Sequence, residues 1–196
     1  MPNWCSNIVY VKGTGEAKEK IEEIFSKEEP FAEIKPEPNY DEVAVPWGLA
    51  KVLSAKRNEV ELEEPEPGRK NAWRDWRIAN WGTKWEPSNL GIDLDDEGNL
   101  TLVFDTAWTP PAKLLEELSK VEGVEEVINH FYEPGADFIG IEFYEDGAAV
   151  EGIAPDLDEF MELLAEAKKR DKVLLEDQWV LDLASMFFHE DELDSL

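Results

Sequence analysis

"NLGIDLDDEGNLTLVFDTAWTPPAKLLEELSKVEGVEEVINHFY", residues 89–132, decides the fold. Ile92 and Leu94 alternate with Asp93 and Asp95, and Asp96-Glu97-Gly98-Asn99 supplies a turn. Then Leu100, Leu102, Phe104 and Thr106 face one way, while Thr101, Val103, Asp105 and Ala107 face the other. A period of two on both sides of a Gly-containing turn is the pattern of a β-hairpin. Thr109 and Pro110 then offer the residue types of a helix cap and first helical position. Leu114, Leu115, Leu118 and Val121 give that helix a buried stripe, Gly123 ends it, and residues 127–132 read as a strand.

Outward from this core, Asn7 to Lys12 read as a strand broken by Gly13 and Gly15. A helix follows over about 16–27, with Ala17, Ile21, Ile24 and Phe25 on one face. Two more strands are expected at 137–144 and 148–153. Asp156 with Glu159 resembles a capping box. Beyond it, Leu157, Phe160, Met161 and Leu164 form one helical stripe, and Leu175, Trp179, Leu183, Met186 and Phe187 form another; the last residues, from His189, read as frayed. The order strand, helix, long insertion, strand, strand, helix, strand predicts an α+β ferredoxin-like split βαβ sandwich, with helices on one face of an antiparallel sheet. The expected organisation is one domain over 1–154, with an insertion at about 28–90, and an acidic helical extension, 155–196, packed on it.

Inside the insertion, Pro30, Pro36, Pro38 and Pro46 punctuate the chain, residues 47–57 suit a short helix, and ELEEPEPGRK (61–70) is polar. A connection this long is unusual in a compact domain and often carries function. It leads into NAWRDWRIANWGTKW (71–85), which holds Trp73, Trp76, Trp81 and Trp85, four of the chain's eight tryptophans. Trp73, Arg77 and Trp81 share one face of the helix this stretch predicts, Trp76, Asn80 and Lys84 share another, and Gly82 stops it.

Charge sets the context. The chain of 196 residues has 19 basic and 46 acidic side chains, net −27. Residues 69–85 carry five bases against Asp75 alone, so the rest of the chain carries −31. Such a surface repels nucleic acid over most of its area and favours basic partners. Three readings of the tryptophan stretch stay open. The indoles plug the sheet while the arginines meet the protein's own acids; or Trp and Arg anchor a protein interface; or they stack on a ligand or a base.

The catalytic inventory is thin. His130 lies in a strand and reads as structural, His189 lies near the C-terminus, and with Cys5 they make no zinc pattern. No Ser-His-Asp pattern and no glycine-rich phosphate loop is present. DLDDEGN (93–99) superficially resembles a calcium loop, but Phe104 stands where the twelfth-position glutamate belongs, so a hairpin turn explains it better. Asp105, in an apolar strand, is expected to pair with Arg77 or Lys84. The sequence therefore points to no enzyme, no cofactor and no metal. One cysteine rules out an internal disulfide, no stretch suits a membrane span, and the first residues lack signal-peptide features. A cytoplasmic protein is the expectation, with homo-oligomers through a sheet edge allowed.

MPNWCSN (1–7), NWGTKW (80–85) and FDTAWTPP (104–111), in this order, resemble the Api-like family of small phage and plasmid proteins with a ferredoxin-like domain. The likeness covers scattered blocks up to about residue 125. It implies the same fold and a mobile-element origin, and it brings no catalytic or binding residues with it. It also draws Trp81, Trp85 and Trp108 together near the sheet, with Lys84 facing Asp105. Two functions follow as expectations. The first is a non-enzymatic, acidic interaction protein that inhibits a host nucleic-acid-binding defence protein by occupying its basic surface as a nucleic acid mimic. The second is a ligand- or nucleic-acid-binding module built on Trp76, Arg77, Asn80, Trp81, Lys84, Trp85, Asp105 and Trp108.

Overall fold

Alternating side chains in six segments produce one antiparallel sheet. The computed structural model of the protein describes residues 3–95, 98–170 and 177–189. The strands are β1 (Trp4–Gly13), β2 (Ser88–Leu94), β3 (Leu100–Ala107), β4 (Val124–Glu133), β5 (Phe138–Glu145) and β6 (Ala148–Ile153), in the order β2-β3-β1-β4-β5-β6. The helices are α1 (Gly15–Phe25), α2 (Pro30–Ile34), α3 (Leu49–Arg57), α4 (Ala72–Asn80), α5 (Ala112–Leu118), α6 (Leu157–Lys169) and α7 (Gln178–Phe187). The order β2-β3-β1-β4, with α1 and α5 as crossovers, is the split βαβ arrangement. The fold is ferredoxin-like, extended by β5, β6 and the last two helices.

Parity along each strand assigns the faces. Val9 and Val11 of β1, Leu100, Leu102 and Phe104 of β3, Val127 and Tyr144 lie on one face. They meet Ile21 and Phe25 of α1, Phe31 of α2, and Leu114, Leu115 and Leu118 of α5. Phe104 stacks on Phe25 and takes Phe31 edge-on. The opposite face is also covered in part. Ile139 and Tyr132 pack with Phe160 and Leu164 of α6 and Val180, Leu183 and Ala184 of α7. The expectation of helices on one face is thus corrected to three layers. The physical reason is that β4 and β5 are apolar on both sides: Val127 and Phe131 point one way, Ile128 and Tyr132 the other. Over β3 the second face stays open, and Val103 is 46% exposed.

β1 and β4 each begin three residues earlier than expected, at Trp4 and Val124, and both ends of α5 differ too. α5 starts at Ala112, not at Thr109-Pro110. Pro111 disfavours a helical Pro110 before it, and the Thr109 hydroxyl donates to Gly82 O at 2.8 Å instead of capping. The same helix ends at Leu118; Gly123, at φ +88°, turns the chain into β4. The predicted cap at α6 is present, since Glu159 N donates to Asp156 Oδ1 at 2.8 Å. Between β2 and β3, Asn99 donates from backbone and side chain to the Asp95 carboxylate at 2.8 and 2.9 Å, which ties the two ends of the connection together. Asp96 and Glu97 of that connection, Leu175 of the last stripe and residues 190–196 lie outside the described residues.

Candidate functional site

The three quoted motifs meet at one end of the sheet and lock there through buried hydrogen bonds. Asn7, fully buried, donates its amide to Thr106 Oγ1 (2.9 Å), Cys5 O (2.8 Å) and Phe104 O (3.3 Å). It accepts from Asn129 Nδ2 at 3.3 Å, so one side chain ties β1 to β3 and β4. Thr106 Oγ1 donates to Thr109 O (2.8 Å), and Thr83 Oγ1 donates to Ala107 O (3.1 Å). Trp108 N donates to Asn3 O at 3.1 Å. Gly82 is required here: a Cβ would stand 2.9 Å from Ala112 N, and φ is +87°. Buried polar groups left unpaired are costly, so this network fixes the corner in one geometry.

Within that corner the tryptophans divide. Trp81 is fully buried; its indole donates to Lys35 O at 3.0 Å, and it meets Phe31 and Trp76 edge-on. Arg77 lies over both Trp73 (5.5 Å) and Trp81 (4.6 Å), as the shared helix face predicts, and its guanidinium pairs with Glu37. Asn80 Nδ2 donates to Trp76 O at 2.9 Å. Asn80 thus bonds within α4, whereas Trp76, Arg77 and Trp81 join the insertion to the core. The same holds for Arg69, which pairs with Asp75 at 2.8 Å and stacks 4.2 Å from the Trp47 ring. Glu86 completes the joint by accepting from Phe31 N (2.8 Å) and Ala32 N (3.0 Å); burial pushes its carboxyl above the usual range despite those donors.

Lys84, Trp85 and Trp108 form a second, solvent-facing group. The Lys84 ammonium lies 4.2 Å from the Trp85 ring and 5.0 Å from the Trp108 ring. Trp4, not expected here, meets Trp85 at 6.1 Å. Trp4 is 40% and Trp108 43% exposed. Trp108 also borders a groove of about 260 Å³ between α3 and α4, where Leu49 is 72% and Ile78 45% exposed. Trp108 sits at φ +71°, an outlier for a bulky side chain, and such strain gathers at functional positions. The parity of MPNWCSN held the signal for Trp4: with Cys5 and Asn7 inward, Trp4 and Ser6 must face out.

Asp105 pairs with neither Lys84 nor Arg77. Its carboxylate accepts from Ser6 Oγ at 2.9 Å and Asn89 Nδ2 at 2.6 Å, two hydrogen bonds that hold it beside Trp4 on the open face. Lys84 faces the two indole rings because the backbone turn at Gly82 aims it away from the sheet. Trp81 likewise stands apart from Trp85 and Trp108, because it closes α4 and points into the core.

Residues 80–173 match the family model of the ferredoxin-like domain in Api92-like protein. The crystal structure of protein api92 from Yersinia pseudotuberculosis superposes with a TM-score of 0.51 at 15% identity, covering 80% of this chain and 98% of that one. At that identity the likeness shows the fold alone. No curated protein matches the chain.

Among the described residues no group of three metal-ligating side chains converges, and no helix is long and apolar enough to cross a membrane. Burial, and then the charge of Glu133, push the Cys5 thiol well up, which disfavours its thiolate form. Burial lowers His130 below its ordinary value against the pull of Asp182, and Tyr10 meets its ring edge-on at 5.4 Å. That is a packed, neutral histidine under α7.

Proposed function

We propose that this protein is a non-enzymatic binding module that seats a basic segment of a partner protein on the corner formed by Trp4, Lys84, Trp85 and Trp108. One observation carries the reading: a highly charged chain leaves Leu49 and Ile78 exposed beside Trp108, and Lys84 and Trp85 link Trp108 to the exposed Trp4 around a rigid, hydrogen-bonded corner. Contiguous exposed apolar surface marks interaction sites, and tryptophans dominate binding energy where they are held in place. Asp105 adds an oriented carboxylate on the same face. The net charge of −27 sets the sign of the partner. A nucleic acid fits less well, because strand binding needs a positive groove along the backbone, whereas Arg69, Arg74 and Arg77 spend their charge on Asp75 and Glu37.

Inhibition of a host nucleic-acid-binding defence protein is the biological form this reading would take in a phage or plasmid protein. Its support is the charge. Exposed acids stand on both outer layers, Glu19 and Glu23 on α1 and Asp158, Glu162 and Glu166 on α6, so contact through the corner is favoured over mimicry by one acidic face.

Fluorescence anisotropy with a short labelled arginine–leucine peptide and a labelled single-stranded oligonucleotide tests the proposal. The Trp85→Ala/Trp108→Asn variant keeps a residue that tolerates the left-handed backbone. The peptide should bind the wild type and lose about tenfold in affinity to the variant. Equal binding to both, or tighter binding of the oligonucleotide, would sink the reading.

A further inference from the structure

Strand β6 closes one edge of the sheet, and all six of its residues are exposed. Its sequence is Ala148-Ala149-Val150-Glu151-Gly152-Ile153, with no lysine and no proline. Edge strands ordinarily carry such residues, because their unpaired N–H and C=O groups are a template for another strand. Val150 is 54% and Ile153 43% exposed. A cleft flanks the strand on each face. One, about 390 Å³, is lined by Ile141, Phe143, Ile153 and Trp179. The other, about 380 Å³, is lined by Glu142, Ala149, Val150 and Gly152. Gly152 leaves room for the Glu142 side chain beside β6, since a Cβ there would stand 3.0 Å from Glu142 Cγ; the Glu142 carboxylate accepts from the Tyr144 hydroxyl on that face.

We propose that β6 accepts an extended strand from a basic partner protein, with alternate side chains apolar and cationic. The period of two in an added strand sends every second side chain to each face. Apolar residues would fill the Ile141–Phe143–Trp179 cleft, and lysines or arginines would reach Glu142. A second copy of this chain is disfavoured as the occupant. It would bring another −27, and its own Glu151 would approach Glu151 across the new pair. The inference stands apart from the tryptophan corner, which lies at β1 and β3.

The test uses the full chain and an acetylated peptide of alternating lysine and valine, with a control of equal charge interrupted by prolines. Amide hydrogen exchange with and without peptide locates the contact, and size-exclusion light scattering gives the mass. The alternating peptide should slow exchange at residues 148–153, and the proline control should not bind. Val150→Lys, at an exposed position, should weaken binding about tenfold with the fold intact, and Glu142→Gln should weaken it as well. Equal binding of the proline control, protection only outside β6, or a chain dimer with slow β6 amides before peptide is added would each overturn the proposal.

Discussion

Trp81 and Trp85 stand four positions apart in one motif, and replacing each by alanine should have opposite consequences. Trp81 is fully buried, touches Phe31 and Trp76, and donates its indole N–H to Lys35 O. Emptying a buried tryptophan site costs about 3–5 kcal/mol. Leaving the Lys35 carbonyl without its donor adds about 1 kcal/mol. Against a total stability of about 5–15 kcal/mol, Trp81→Ala should be close to unfolding. Trp85 is only half-buried, and its ring contacts are Lys84 and Trp4. An exposed cation–π contact contributes about 0.5–1 kcal/mol and the aromatic pair about as much, so Trp85→Ala should cost roughly 1–2 kcal/mol. The gap of about 3 kcal/mol corresponds to a urea midpoint separation of roughly 1–2 M. Far-UV circular dichroism should follow the transition, because indole fluorescence changes with the substitution itself. Equal midpoints for the two variants would refute the division of the motif into a core half and a surface half.

Three further outcomes are expected. Asn7→Leu removes one partner from Thr106 Oγ1 and from Asn129 Nδ2 in a buried row, and should destabilise by about 2–4 kcal/mol in the same urea assay, although leucine is the more apolar side chain. Glu86→Ala strips the acceptor from Phe31 N and Ala32 N and should cost about 1–2 kcal/mol; proteolysis in the segment between α1 and α3 should accelerate with it. His130 has its folded pKa below 6.5, so the unfolded chain takes up its proton first as pH falls. Its contribution is complete above 6.5 and is lost as pH drops below that value toward the folded pKa, and His130→Gln should flatten that part of the stability profile measured by denaturant titration at several pH values.

Much of the fold is legible because β1, β2 and β3 alternate between inward and outward side chains. β3 reads correctly through Leu100, Leu102, Phe104 and Thr106, all buried, and β6 falls where the apolar run placed it. The second helical layer was less visible, since nothing in the period of α6 says which face of the sheet it covers. That information lay in β4 and β5, whose two-sided apolar character asks for cover on both faces. The site was legible by composition and misassigned by geometry. Trp81 and Trp85 look alike in sequence, but Gly82 reverses the chain between them and sends one inward and one outward. Charge alone points to a Lys84–Asp105 pair, but Ser6 and Asn89, both neutral, hold that carboxylate, and charge counting does not find neutral donors. Leu49 and Ile78 belong to the insertion, and only tertiary structure brings them beside Trp108.

The central claim is that the outward-facing tryptophans are a docking surface and the inward-facing ones are scaffold. Each of the eight tryptophans has an indole N–H that gives its own signal in a two-dimensional nitrogen–proton spectrum. Titration with the arginine–leucine peptide should shift the Trp4, Trp85 and Trp108 signals together, along one saturable curve, and leave Trp81 in place. If those three signals stay fixed while the peptide binds, or move with an oligonucleotide and not with the peptide, the corner is not the docking surface described here.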